Sequence, residues 1–364
     1  MNRYEELYRA EQLPVFQNRM FRTREDAQNC VKGDVVLVMD METGLIFNQA
    51  FRPELMEYDA DYQNEQAVSS VFRAHLNEVS RIIGKYFSDQ TLIEVGCGKG
   101  YFLEHLSALG FEVTGLDPTY EGENPKVIKA YFTPEMGLSA DGIILRHVLE
   151  HIQDPVDFLE HVAASNGGKG KIYIEVPCFD WICAHRAWFD IFYEHVNYFR
   201  ISDFSRIFGK VYESGHVFGG QYLYVVADLA SLGRPRLAEP DGFTFPADFL
   251  ETVNSYGKTI KAQRDEIDTG KHPSLIWGGA SKGVIFALFM QRAGVTIDYV
   301  IDINPAKQGK FLAATGLRVS SPEEVLTRIE PGATIFVMNG NYLPEIRQAT
   351  LNKFKYLTVD HENL

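Results

Sequence analysis

Three glycines and an acid lie close together in the stretch LIEVGCGKGYFL, which runs from residue 92 to residue 103. Gly96, Gly98 and Gly100 occupy every second position, and Glu94 stands two residues before them in an apolar run. Glycine is costly inside helices and strands, so this spacing predicts a turn that something approaches too closely for side chains. A turn that leads from a strand into a helix points backbone N–H groups at a ligand.

The spacing of the glycines differs from the nicotinamide fingerprint G-x-G-x-x-G, because the third glycine comes one residue early. Asp117 ends the next apolar run, VTGLD. A carboxylate at the end of the second strand of such a sheet can accept hydrogen bonds from both hydroxyls of a ribose. A later run, ADGIILRHVLEHI, places Arg146 and His147 at its end, where open α/β sheets bind ligands.

From residue 91 onward, apolar runs of strand length alternate with segments of helical period, which predicts an α/β fold with a parallel sheet and right-handed crossovers. The aromatic stretch of residues 178–199 looks too irregular for a strand, and a Pro- and Gly-rich linker follows at 229–246. We predict a small β-rich N-terminal module over 1–64, a central domain over 65–228 and a second, Rossmann-like domain over 247–364.

Composition limits the partners that the chain can have. The formal net charge is -14 and basic residues form no block, which argues against nucleic-acid binding. The sequence contains neither an apolar run of membrane-spanning length nor the apolar core of a secretory signal, so we expect a cytoplasmic protein without membrane contact. The four cysteines lack C-x-x-C spacing and predict neither a disulfide framework nor a zinc knuckle.

The E-x-G-x-G-x-G turn, the following Asp117 and the D-x-I-x-x-x-H-V-L-E-H run together resemble class I S-adenosylmethionine (SAM)-dependent methyltransferases. The resemblance implies that SAM is the cofactor. It implies that the glycines admit the amino-acid part of SAM, that Glu94 lies near its ammonium group and that Asp117 binds the ribose. Arg146 and His147 would lie at the cofactor, with His147 either closing its pocket or touching the substrate.

Four further stretches resemble sugar C-methyltransferases that act on nucleotide-linked 4-keto-6-deoxysugars: YDADYQNEQAVSSVFRAHL, YEHVNYF, WGGASKG and YVIDINPAKQGKF. The resemblance implies that His195 is the base that removes the proton beside the ketone, with Glu194 orienting the site. It also implies that Tyr62, or alternatively Tyr58, donates a hydrogen bond to the enolate oxygen and that Tyr193 contacts the substrate.

Other interpretations of these residues stay open. His195 could simply bond a backbone carbonyl, and Glu150 and His151 are more typical of structural residues. The GGASKG turn and Lys282 could hold a diphosphate, with Lys307 nearby, or the turn could be purely structural and Lys307 a solvated charge.

Members of the family carry a four-cysteine zinc module at the N-terminus, and this chain departs from that pattern. Asp40 and Thr43 stand in two of the cysteine positions, so we expect no zinc there and no metal site elsewhere. The module would then be held by packing of the run 35–38.

The predicted reaction is C-methylation of a nucleotide-linked keto-deoxysugar. O- or N-methylation of a sugar or natural-product acceptor is an alternative, and a non-catalytic SAM-binding protein is a second.

Overall fold

The computed structural model describes residues 3–56, 67–238, 242–265 and 273–360. The strands of this part are β1 (Tyr4–Pro14), β2 (Lys32–Asp40), β3 (Ile46–Asn48), β4 (Thr91–Val95), β5 (Glu112–Leu116), β6 (Val127–Ile128), β7 (Gly142–Arg146), β8 (Lys171–Pro177), β9 (Asn197–Tyr198), β10 (Val211–Val217), β11 (Tyr222–Asp228), β12 (Leu275–Trp277), β13 (Tyr299–Ile301), β14 (Val319–Ser320), β15 (Thr334–Val337) and β16 (Lys355–Thr358). The helices are α1 (Arg24–Gln28), α2 (Ser70–Phe87), α3 (Tyr101–Ala108), α4 (Pro155–Ser165), α5 (Phe179–Ala184), α6 (Ile201–Ile207), α7 (Glu251–Asp265), α8 (Lys282–Arg292), α9 (Pro322–Leu326) and α10 (Leu343–Ala349).

The central sheet has the strand order β10-β11-β8-β7-β4-β5-β6. Strands β4 to β8 are parallel, and β11 runs antiparallel to both β8 and β10. Since the chain order reverses between β4 and β7, a crevice opens over the carboxyl ends of these two strands. The predicted α/β class and the parallel sheet are confirmed.

Helix α2 packs one apolar face against the central sheet. The buried side chains follow the helical repeat and include Phe72, Leu76, Val79 and Ile83. Ser69 begins the helix, because its hydroxyl accepts hydrogen bonds from the backbone N–H groups of the first turn.

A second parallel sheet of five strands follows, in the order β14-β13-β12-β15-β16. The strand order of this sheet also reverses, between β12 and β15, so a crevice of the same kind opens over the carboxyl ends of these two strands. The predicted Rossmann-like arrangement of the C-terminal region is thus present.

The N-terminal sheet has the order β1-β2-β3-β9 and is antiparallel. The apolar run predicted to hold it is buried, with Val35 and Leu37 fully inaccessible. Asp40 pairs with Arg3 at 3.1 Å and accepts the backbone N–H of Glu42 at 2.9 Å. It therefore stabilises the turn after β2.

The connecting segments make contacts that their sequence does not indicate. The aromatic stretch, expected to be too irregular for a strand, contains α5 and ends in the two-residue strand β9, which joins the N-terminal sheet. In the predicted linker, the rings of Phe243 and Phe245 lie 5.9 and 6.2 Å from that of Phe179. The domain boundaries themselves stay a prediction.

None of the helices in the described ranges combines the length and the hydropathy of a membrane span.

The packing between the N-terminal sheet and the aromatic stretch gives a test of stability. A Cβ atom on Gly33 would overlap the ring of Tyr193, which is fully buried. We expect Gly33→Ala to destabilise the protein by about 1–3 kcal/mol because of overpacking, measured as a lower urea midpoint. Gly233→Ala is the matched control, since an added Cβ there has no neighbour within 4 Å. Equal midpoints for the two variants would contradict the packing.

Candidate active site

A cavity of about 500 Å³ lies where the carboxyl ends of the two parallel sheets face each other. The glycine turn after β4, the ends of β7 and β8, and the turn after β12 all contribute to its lining. Asn18 of the N-terminal region also lines it. A ligand in this cavity would therefore contact all three parts of the chain.

The glycine turn has the backbone geometry that its sequence predicts. Gly96, Gly98 and Gly100 have φ of 74°, 55° and 80°, in the left-handed region that favours glycine. A Cβ on Gly96 would lie 2.5 Å from a methyl carbon of Val148, whereas one on Gly98 would meet nothing within 4 Å. Gly96 is therefore required by the protein's own packing, and Gly98 leaves open space beside the cavity.

Glu94 is the penultimate residue of β4, and its buried side chain lines the cavity. The residue is 3% exposed, and its Oε2 atom has no hydrogen-bond partner within the protein. Burial raises the pKa of this carboxyl to about 8. A buried carboxyl oxygen without a partner is costly, so a cationic group of a ligand fits this position.

Asp117 supports the glycine turn from the end of β5. Its Oδ2 accepts the backbone N–H of Gly98 at 2.8 Å, and its Oδ1 accepts the backbone N–H and the hydroxyl of Thr119. Neither Asp117 nor Gly100 lines the cavity. The contact of Asp117 with a ribose therefore stays a prediction. Within the protein, Asp117 positions the glycine turn.

The carboxylate of Glu175 on β8 is the centre of a buried charge network. It is fully buried and accepts hydrogen bonds from Arg146 at 3.0 Å, His147 at 3.1 Å and His75 at 3.0 Å. The hydroxyl of Tyr173 donates to it at 2.7 Å. Burial opposes its charge, but the neighbouring Arg146 and the two histidines hold the pKa of Glu175 well below its usual range.

His147 lies between two buried carboxylates. Its Nε2 is 3.1 Å from Glu175, and its Nδ1 is 3.4 Å from Glu150. Burial alone would lower the pKa of His147, but the hydrogen bonds to Glu150 and Glu175 raise it to about 9. The residue also has φ of 53°, a strained value for histidine that the network maintains.

His195 lines the same cavity, in the segment before β9. Its ring stands edge-on to those of His151 and Phe192, with centroids 4.9 Å apart in each pair. Burial, reinforced by the nearby His151, lowers the pKa of His195 to about 3. Its imidazole is therefore neutral near pH 7, and these surroundings disfavour its protonated form.

Glu194 and Tyr193 do not line the cavity. The Glu194 carboxylate accepts the backbone N–H of Gln17 at 3.2 Å, and the Tyr193 hydroxyl accepts that of Arg52 at 2.9 Å. Both side chains thus face the N-terminal region, so their predicted roles at the substrate would have to be indirect. Tyr62 and its alternative Tyr58 lie outside the described residues.

Lys282 and Lys307 lie on the C-terminal side of the cavity and line it. Lys282 donates to Gln221 at 3.0 Å and lies 3.0 Å from the Asp190 carboxylate, so it joins the C-terminal region to the central one. Lys307 lies 3.3 Å from Asp302. Their predicted contact with a diphosphate would add to these ion pairs.

Sequence reasoning missed Glu175 and undervalued Glu150 and His151. Glu175 had a signal, since a charged residue inside the apolar run IYIEVP is rarely buried without partners. Glu150 and His151 belong to a short 3₁₀ helix, Leu149–His151, which carries them to His195. Their spacing in sequence gave no sign of that distant partner.

The raised pKa of His147 predicts a pH dependence of stability. Its folded-state pKa of about 9 exceeds the ordinary value of 6.5, so its contribution is fully present below pH 6.5 and is lost as the pH rises through 9. We expect His147→Gln to lower the free energy of unfolding by about 2–3 kcal/mol near neutral pH. In urea titrations, the deficit should shrink towards about pH 10. A deficit that is independent of pH would contradict the assignment.

Comparison with known proteins identifies one part of the chain. Residues 67–211 match the sequence profile of a family described as a methyltransferase domain. That range contains the glycine turn, Asp117, Arg146, His147 and His195. A search of curated proteins finds no match.

Among solved structures, the PH0226 protein from Pyrococcus horikoshii OT3 has 13% identity and a TM-score of 0.36, covering 47% of this chain and 99% of its own. A SAM-dependent methyltransferase from Archaeoglobus fulgidus has 18% identity and a TM-score of 0.34, covering 44% of this chain and 95% of its own. The 1,6-didemethyltoxoflavin-N1-methyltransferase from Burkholderia thailandensis has 14% identity and a TM-score of 0.33, covering 50% and 95%.

The family match falls on the strands and turns that form the central side of the cavity. Residues 67–211 thus match a methyltransferase domain on this side of the cavity.

Proposed function

We propose that this protein uses SAM to methylate a carbon atom of a nucleotide-linked 4-keto-deoxysugar. The observation that carries the proposal is the shared cavity, which brings Glu94 and the glycine turn together with His195 and with Lys282 and Lys307. The residues proposed to bind the cofactor, the proposed base His195 and the two lysines thus line one cavity.

The residues present fit SAM. The Oε2 atom of Glu94 has no partner and can accept a hydrogen bond from the ammonium group, and Gly98 leaves room beside the turn. When bound, SAM supplies an electrophilic methyl group. The chain's own part is to hold the cofactor and to make the acceptor carbon nucleophilic.

His195 performs the proton transfer in this proposal. A C–H bond beside a ketone is acidified by the carbonyl group, and the neutral imidazole accepts that proton. The electron pair of the C–H bond then forms an enolate. The Glu150 carboxylate, which raises the proton affinity of His195 electrostatically, stabilises the imidazolium that results.

The side of the cavity that carries Lys282 and Lys307 suits the diphosphate of a nucleotide sugar. The glycine turn after β12 leads into α8, and Gly278, Ser281 and Lys282 of this stretch line the cavity. The Asp302 carboxylate accepts the backbone N–H of Gly279 at 2.9 Å, much as Asp117 accepts that of Gly98 in the central domain. Each glycine turn is thus held by an aspartate of its own sheet. In the proposal, one turn serves SAM and the other serves the nucleotide sugar.

The raised pKa of Glu94 predicts proton release when S-adenosylhomocysteine binds. Near pH 7 a carboxyl with a pKa of about 8 is mostly protonated, and a bound ammonium group favours its ionised form. We expect binding to release close to one proton and affinity to rise as the pH approaches 8. Calorimetry in two buffers of different ionisation enthalpy measures the release.

Glu94→Gln should abolish this release, whereas the exposed Glu104→Gln on α3 is the control and should keep it. Unchanged proton release in Glu94→Gln would contradict the role of this carboxyl.

The decisive experiment measures turnover with ¹³C-methyl-labelled SAM and a panel of nucleotide-linked 4-keto-deoxysugars. We expect His195→Gln to lower turnover about 10²–10⁴-fold, the usual contribution of a general base, while S-adenosylhomocysteine affinity is unchanged. His216→Gln, on exposed β10, is the matched control.

Carbon NMR of the product identifies the atom that receives the label. A labelled methyl group on oxygen or nitrogen would favour the alternative of O- or N-methylation over this proposal. A His195→Gln variant with full turnover would refute the role of His195 as the base.

A further inference from the structure

Three potential metal ligands meet beside the cavity. The carboxylate oxygen of Glu150 and the ring nitrogens of His151 and His195 all lie within 4.8 Å of one another. Glu150 and His195 line the cavity, and His151 does not. Among the described residues, these three form the one group of at least three His, Cys, Asp or Glu side chains that lie close enough together to hold an ion.

The Glu150 carboxylate has an oxygen that no protein group satisfies. The residue is 1% exposed, its Oε1 atom lies 3.4 Å from His147, and its Oε2 atom has no hydrogen-bond partner. A buried and unsatisfied charged oxygen is costly, so its presence points to a ligand.

Both imidazoles have a nitrogen lone pair to offer. The ring of His195 lines the cavity and stands edge-on to that of His151, with the centroids 4.9 Å apart. The Nδ1 atom of His151 lies 2.8 Å from the backbone carbonyl oxygen of Glu194. A carbonyl oxygen only accepts, so Nδ1 carries the proton and the lone pair is on Nε2. Most metal-binding histidines are oriented in the same way, by a hydrogen bond from the ring nitrogen that does not bind the metal.

We propose that Glu150, His151 and His195 form a binding site for one divalent transition-metal ion. Two imidazoles and one carboxylate suit Zn²⁺, Co²⁺ or Fe²⁺, whereas Mg²⁺ and Ca²⁺ prefer oxygen ligands alone. Bond lengths of about 2.0–2.1 Å require ligand atoms about 3.4 Å apart, so small side-chain rotations close the site.

The functional consequence rests on the proposed role of His195 as base. An ion that takes the lone pair of His195 prevents it from accepting a proton, so the metal inhibits methyl transfer.

The test uses the full chain, freed of metal by a chelator and then dialysed against Co²⁺ or Zn²⁺. We expect one ion per chain by elemental analysis and a visible absorption band from bound Co²⁺. Glu150→Gln and His151→Gln should each weaken binding at least tenfold, whereas His216→Gln should bind as the wild type does.

Thermal unfolding and S-adenosylhomocysteine affinity establish that each variant is folded. Metal content that is the same in the wild type and in folded Glu150→Gln and His151→Gln would overturn the site. Added Zn²⁺ should also reduce turnover and a chelator should restore it; stimulation by Zn²⁺ would overturn the inhibitory consequence. Metal content needs no turnover, so this test separates failure of the site from failure of the proposed function.

Discussion

Compensation of the buried charge on Glu175 is the constraint on which the arrangement of the site depends. A lone carboxylate in this position would cost several kcal/mol, so cations and donors must surround it. The register of β7 against β8 sets Arg146 directly beside it. His147 follows on the same strand end and extends the network to Glu150. The positions of His75 and His147 are thus linked to one buried charge.

Much of the fold could be predicted because its elements carry strong local patterns. The apolar face of α2 and the apolar runs of the parallel strands are examples. The two-residue strand β9 could not be predicted, because it exists only through its pairing with β3. The packing of Phe243 and Phe245 on Phe179 likewise depends on tertiary contacts that leave no periodic signal.

The site was predictable where backbone geometry demands particular residues. Gly96 belongs to this class, because its left-handed backbone favours glycine. Glu94 was recognised instead from its place in the motif. The side chains of Tyr193 and Glu194 were not predictable, because the chain bends at these two residues and turns them towards the N-terminal region. A motif thus locates a segment, but a bend of this kind decides which of its side chains reaches a ligand.

The strand β9 begins two residues after His195 and completes the N-terminal sheet. The same short segment therefore serves as the edge of one sheet and as a wall of the cavity. Because only Val196 separates His195 from β9, a displacement of β9 would also move the imidazole. The small sheet thus helps to fix the position of this histidine in the cavity wall.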